Sequence, residues 1–331
     1  MGEDALKLTT YFSERDRAGE RFLADGLFDL YERHRLRTSV LLRGIAGFGW
    51  RHRLQSDRLL SLSESLPAVS VAVDTRERIE AALPEVLELA GHGVVSVEPA
   101  TLWSADDPAP TSGTVLLTIY GGRGIRAEGE AGYVALVARL REAGVTVASV
   151  LLGVDGTLHG ERRRARFFAR NAGVPLMVLI IGEADRIAAV LPDVASFVEE
   201  PVLTLERVNA ETPGPHQKVI VHLEEQAKVD GHPLHVELVR RLALAGAAGA
   251  TVIRGVRGVY ASGEPIADRF FSLRRNVPVH VIAIDTAEAV RQWLPIVEEL
   301  TKAAGVVTIS SGTAHAHRRA REAPPRGRPS P

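Results

Sequence analysis

Two arginine–glycine segments are the places where this chain could hold an anion. Arg43 leads into Gly44, Gly47 and Gly49, and Arg254 leads into Gly255 and Gly258. Glycines that follow a strand let backbone N–H groups approach an anion with no Cβ in the way. A guanidinium adds a planar fork for phosphate or carboxylate. A plainer role competes: such glycines can serve only a bend, and Arg43 can pair with a carboxylate across a contact between parts of the chain. The spacing is not the dinucleotide-binding fingerprint, because no helix follows.

Other chemistry is thinner. Arg162, Arg163, Arg164, Arg166 and Arg170 surround Phe167 and Phe168, a pattern that can bind nucleic acid. The favoured reading is a solvated loop with its phenylalanines turned inward, as Phe270 and Phe271 would be. His216, His222, His232, His235 and His280 crowd one region, with His222 and His280 expected on neighbouring strands. No nearby Asp/Glu–His spacing completes a metal site, so none is expected; His315 and His317 are read as incidental. There is no Gly-x-Ser-x-Gly elbow, no Gly-Lys-Ser/Thr phosphate loop and no recognisable carboxylate pair. Asp57 and Glu64 have no reliable counterparts elsewhere in the chain. Catalytic residues are therefore expected to be none, and the reading leans away from an enzyme.

The elements that position the arginines recur. Gly44, Gly153 and Gly255 are followed after 23, 22 and 23 residues by Pro67, Pro175 and Pro278. Leu83-Pro84, Leu191-Pro192 and Leu294-Pro295 come next, each proline 17 residues further on. Landmarks held at fixed spacing three times make an internal repeat of about 100 residues. Leu152 stands where Arg43 and Arg254 stand, so fewer than three equivalent ligand sites are expected. The spacing predicts domains over 5–103, 114–208 (degenerate) and 216–311, with a disordered tail over 312–331. Each domain reads strand, helix, strand, strand, helix, strand: an α/β (α+β) class made of ferredoxin-like βαββαβ units. In the first, Thr38–Leu42 is a strand and a long loop is expected from Gly44 to about Ser65. Asp74 and Glu77 form a capping-box pattern, repeated at Asp285 and Glu288. Pro84 should kink or break its helix.

The third strands are apolar at consecutive positions (Val178-Leu179-Ile180-Ile181, Val281-Ile282-Ala283-Ile284), whereas a strand with one wet face alternates. The face away from the helices is therefore expected to be covered by its equivalents, giving a single-chain pseudo-trimer. Bulk properties restrict the partners. A formal net charge of −1 gives no reason to expect nucleic acid or an anionic membrane. The chain has no cysteine, and its longest strongly apolar run, residues 174–181, is far shorter than a membrane span. No membrane insertion is expected, and a cytoplasmic protein is.

These features carry a resemblance. A βαββαβ unit with a long loop between its second and third strands, assembling in threes, looks like the PII-like signalling superfamily. Arg43-Gly44-Ile45-Ala46-Gly47-Phe48-Gly49 resembles the domain-of-unknown-function 190 family. Leu59, Leu62 through Pro67, Ile79 through Pro84, and Gly231-His232-Pro233-Leu234 support the match. The first repeat fits best, the third well and the second poorly. PII proteins are trimeric sensors that bind adenine nucleotides between subunits at the base of the long loop and move that loop against a partner. The resemblance implies a regulatory ligand such as ATP, ADP or AMP near Arg43, Gly44, Gly47, Gly49, Arg254, Gly255 and Gly258. It also implies a protein partner such as a membrane transporter or an enzyme. A ligand-free interaction module and an enzyme with its site between repeats are the alternatives.

Overall fold

The computed structural model describes residues 2–49, 55–56, 66–91, 93–124, 126–127, 130–165, 171–198, 200–209, 214–260, 265–267 and 276–316. Asp57, Leu59, Leu62, Ser63, Glu64, Ser65, Arg166, Phe167, Phe168, Arg170, Phe270, Phe271 and His317 lie outside them. Among the described residues, six helices and a larger number of strands form a mixed α/β architecture of three tandem copies. The helices are α1 (Leu23–Arg33), α2 (Arg76–Ala90), α3 (Gly132–Glu142), α4 (Ala184–Phe197), α5 (Leu234–Leu244) and α6 (Ala287–Thr301).

The first strands are Glu3–Ser13, Thr114–Gly122 and His216–Glu224, and the second strands are Thr38–Phe48, Val147–Leu152 and Ala250–Arg254. The third are Pro67–Thr75, Pro175–Glu183 and Pro278–Thr286, and the fourth are Val94–Trp103, Val202–Arg207 and Val306–Ala316. In every copy the third strand pairs with the second and the first, and the first pairs with the fourth, all antiparallel.

The glycine segments are not loops. In copy one the second strand runs on past Gly44, and Gly44 to Phe48 pair with Ile253 to Ala250 of copy three. Arg257–Tyr260 of copy three pair with Val150 to Val147 of copy two. Asp155–Leu158 of copy two pair with Leu41 to Thr38 of copy one. Each copy thus hands its second strand to a neighbour, and the exchange is cyclic. The expected loop from Gly44 is corrected to a strand crossing, and the glycines explain why the crossing fits. A Cβ on Gly255 would stand 2.7 Å from the Val150 carbonyl oxygen, and one on Gly47 would stand 2.5 Å from that of Ala250. The repeated prolines press on the same spot: a Cβ on Gly258 would meet the Pro278 ring at 2.5 Å, and one on Gly156 the Pro175 ring at 2.8 Å.

Each copy keeps a helix-facing core that includes a piece of its neighbour. Val154 of copy two packs with Leu27, Phe28 and Ile79 of copy one. Val259 of copy three packs with Val137 and Ile187 of copy two. Ile45 and Phe48 of copy one pack with Leu238 and Trp293 of copy three. A fourth cluster joins the opposite sheet faces of all three copies, with Val71, Leu179 and Ile282 at matching positions. Burying these faces removes apolar surface at roughly 25 cal/mol per Å², which covers the non-alternating strands. The fourth strands also meet: Leu203–Leu205 pair with Trp103–Thr101, and Thr313–Ala316 pair with Val97–Val94. Residues 312–316, expected in the tail, are therefore strand.

Two local expectations change. Pro84, Pro192 and Pro295 lie inside unbroken helices. All three are exposed, so water can satisfy the carbonyl each leaves without a helical partner. The caps sit one residue later than expected, with Thr75 Oγ1 accepting from Arg78 N at 3.4 Å and Thr286 Oγ1 from Ala289 N at 3.2 Å. Asp74 and Asp285 instead accept from Arg37 N at 2.8 Å and Ala248 N at 2.9 Å, tying the second strand's start to the third strand's end.

Gly258→Ala and Gly156→Ala should each lower the unfolding free energy by about 1–3 kcal/mol. Gly26→Ala inside α1, where the added methyl would meet only Leu89 at 3.8 Å, should raise it by about 0.5–1 kcal/mol. Urea midpoints measure all three.

Candidate functional site

Both predicted arginines stand at a crossing, on the last residue before the chain passes to the next copy. Arg43 Nε lies 2.8 Å from Glu14 Oε1, with 68% of the arginine side chain exposed. Arg254 Nη2 lies 2.7 Å from Glu225 Oε1, in a drier setting where the two side chains are 18% and 9% exposed. Glu14 and Glu225 occupy the same place at the end of the first strand, so the two pairs are one feature used twice. Both pairs lie within a copy, not across copies.

Copy two departs from the pattern on both sides. Leu152 replaces the arginine, and Arg123 stands where Glu14 and Glu225 stand. Its Nη2 donates to the Gly153 carbonyl, and burial holds the group below the ordinary arginine value. A guanidinium is thus present at the copy-two crossing, supplied by the other strand.

The glycine amides are partly committed. Gly255 N donates to Pro278 O at 2.8 Å and Gly153 N to Pro175 O at 3.1 Å. The residues after them donate to the neighbouring copy, Val256 N to Val150 O and Val154 N to Leu41 O, each at 2.8 Å. An anion at a crossing would therefore be held mainly by the arginines, with the glycines supplying proximity. Gly44, Gly47 and Gly258 lie within the crossing strands, and Gly49 follows directly.

The basic cluster of copy two has acidic partners that sequence reading missed. Arg162 Nη2 lies 2.6 Å from Asp155 Oδ2, and Arg162 also pairs with Asp25 and Asp29 on α1 of copy one. Arg164 Nη1 reaches Asp25 Oδ1 at 2.7 Å, while Arg163 pairs with Glu161. Arg162 and Arg164 thus reach across a copy boundary to α1 of copy one, whereas Arg163 pairs within copy two, and the side chains of Arg163 and Arg164 stay 55% and 62% exposed. Alignment of the copies held the signal: Asp25 and Asp29 correspond to Val134 and Ala138 in copy two and to Val236 and Arg240 in copy three, and Asp155 corresponds to Arg257 in copy three and Ala46 in copy one.

His222 and His280 do lie side by side, both fully buried, with their Nδ1 atoms 2.9 Å apart; His222 Nε2 also sits 3.0 Å from Thr308 Oγ1. Burial pushes His280 down to about 3. Burial, reinforced by His280, also holds His222 well below the usual histidine value. Among the described residues no group of three or more His, Asp or Glu could hold a metal. Two open grooves are defined by described residues. One, of about 650 Å³, lies on copy one between its Asp16–Arg21 turn, α1 and the end of α2. The other, of about 10 Å³, lies between copies one and three beside Glu98 and Lys218.

The DUF190 family, described as an uncharacterized ACR, matches residues 5–102, 114–210 and 216–313. The chain belongs to the DUF190 family. The UPF0166 protein MJ1524 of Methanocaldococcus jannaschii is 30% identical over 90 residues, which are 27% of this chain and 82% of that relative. One copy here therefore answers to most of that protein. The crystal structure of aspartate kinase from Synechocystis aligns over 95% of this chain and 45% of its own, with 10% identity and a TM-score of 0.25. A likeness at that level bears on neither fold nor activity. No described helix is long and apolar enough to cross a membrane.

The histidine pair predicts an acid response. Both rings are neutral when folded and can protonate near 6.5 when unfolded, so stability should fall as pH drops from about 6.5 towards about 3. Copy one carries Tyr11 and Val69 at the equivalent positions. The variant His222→Tyr with His280→Val should lose this dependence, a change in slope of about 1.4 kcal/mol per pH unit for each histidine. Urea unfolding at pH 7.5, 6 and 5 reads it.

Proposed function

We propose that this DUF190 chain is a non-enzymatic, cytoplasmic regulatory protein of PII-like type. Its ferredoxin-like units would close as a single-chain pseudo-trimer and take a small anionic ligand, an adenine nucleotide first, at the crossings between copies. It would report to a protein partner through the long loops rooted there. The strand order within each copy and the cyclic exchange between copies support the architecture. The supporting observation for the function is the position of Arg43 and Arg254. Each sits where the chain leaves its own copy and joins the next. A ligand held there touches two copies and a loop root together, so it can favour one loop arrangement over another. Regulation, and not turnover, is favoured because no motif for a nucleophile or a phosphate-transfer loop occurs in the sequence.

A second reading has its own support. Glu14 and Glu225 already pair with the two arginines, and several glycine amides are engaged. A ligand-free module that binds a partner through its loops fits those facts.

Thermal unfolding with ATP, ADP, AMP and small dicarboxylic acids separates the two. A ligand at a hundred times its Kd adds about 2.7 kcal/mol and should raise the midpoint by a few degrees. Calorimetry should then give at most two sites per chain, and Arg43→Ala with Arg254→Ala should abolish binding. No shift with any of these compounds at millimolar concentration would leave the ligand-free module. Conversion of the bound compound to product would make the chain an enzyme.

A further inference from the structure

Along the face where the copies meet runs a buried row of four charges: Glu206, Lys7, Glu98 and Lys218. Their side chains are only 3–8% exposed. Lys7 pairs with Glu206 of copy two and lies 3.4 Å from Glu98, and Lys218 of copy three pairs with Glu98 of copy one. Burial works against ionisation of Glu98, but Lys218 and Lys7 outweigh it and hold the carboxyl at about 2.

The copies can be placed in register from their prolines. Six residues after Pro67, Pro175 and Pro278 stand Val73, Ile181 and Ile284, which face Lys7, Leu116 and Lys218 on the first strands. Those three face Glu98, Glu206 and Ser310 on the fourth strands. Copy one therefore contributes a lysine and a glutamate, copy two only a glutamate, and copy three only a lysine.

We propose that this row is a pairing code for the interface between copies. The first-strand position of each copy is matched to the fourth-strand position of the copy that follows it in the cycle one, two, three. Lys7 meets Glu206, and Lys218 meets Glu98. In the remaining slot the equivalent residues, Leu116 and Ser310, are both uncharged, and Ser310 Oγ donates to Glu98 Oε2 at 3.4 Å. The row holds two cations and two anions, with no buried charge left over. Copy one is self-complementary. Copies two and three carry opposite single charges, so the partner that fits the inner face of either is a different copy and never its own kind: three of the same would bury three like charges. Gly312 supports the match. It corresponds to Ala100 and Val208, and a Cβ there would stand 2.5 Å from the Val97 carbonyl oxygen and 2.9 Å from Glu98 Cγ, so a side chain is excluded by the neighbouring backbone and by the stem of the partner's glutamate together.

The code is tested in the full chain through the neutral slot, independently of any ligand. Leu116→Lys should raise the unfolding constant by about a hundredfold or more, because Glu206, which residue 116 faces, is already paired with Lys7 and the row would hold three buried cations to two anions. Adding Ser310→Glu, in another copy and 194 residues away in sequence, should recover at least tenfold of that loss. Ser311→Glu, one residue along and on the other strand face, should recover none. Rescue absent at 310, or equal at 311, overturns the proposal. If Leu116→Lys yields no folded protein, a second pair decides. Lys7→Leu alone should destabilise, and Lys7→Leu with Glu206→Ser, which copies the neutral slot, should be the more stable of the two. The reverse order overturns the proposal.

Discussion

At the centre of each crossing a backbone without side chains lies against a backbone carbonyl. Gly156 lies against Ser39, Gly47 against Ala250 and Gly258 against Ala148, and in each case a proline ring from the start of the third strand closes over the glycine. A methyl group has no room there. That constraint turns three copies into one body, because a strand whose first half belongs to one sheet and whose second half belongs to another cannot leave either without breaking both ladders. Its consequences spread outward. The segments carried across supply core residues beneath the next copy's helices, such as Val154, Val259 and Phe48. The crossings also bring the opposite sheet faces together on a shared apolar cluster.

The shared interior is not purely apolar. Lysines and glutamates sit within it, and a buried ion pair is weak evidence of stability because desolvation offsets most of the attraction. Its distribution among the copies is more informative than its energy. The crossings look alike in all three copies, whereas the charges do not. The backbone therefore sets the geometry of exchange, and the side chains distinguish one copy from another. Copy two is the most altered at its crossing, with Leu152 and Arg123 in place of the Arg–Glu pair and with Arg162 fastening its segment to α1.

Much of this was legible in residue types and spacing. The recurrent glycine and proline are the two sides of one contact, and their nearly constant separation of 22 or 23 residues records it. The consecutive apolar positions of the third strands correctly implied a second buried face. What escaped notice depended on pairing register. Nothing local to Gly44 says that the strand continues, because its partners, Ala250 to Ile253, lie about 200 residues further along the chain. Glu14 and Glu225 became visible as arginine partners only once the first and second strands were placed on either side of the third. The helix continues past Pro84 because the cost of a proline depends on exposure, which a sequence does not print. The capping threonines were passed over because the aspartates before them make an equally good local pattern.

Amide hydrogen exchange along the crossing segments tests the central claim most directly. If the exchange of strands holds the copies together, the amides within residues 155–158 and 257–260 should be as protected as those of the first strands and should open only with the whole molecule. Exchange of these segments at the rate of open loops, while the first strands stay protected, would contradict it.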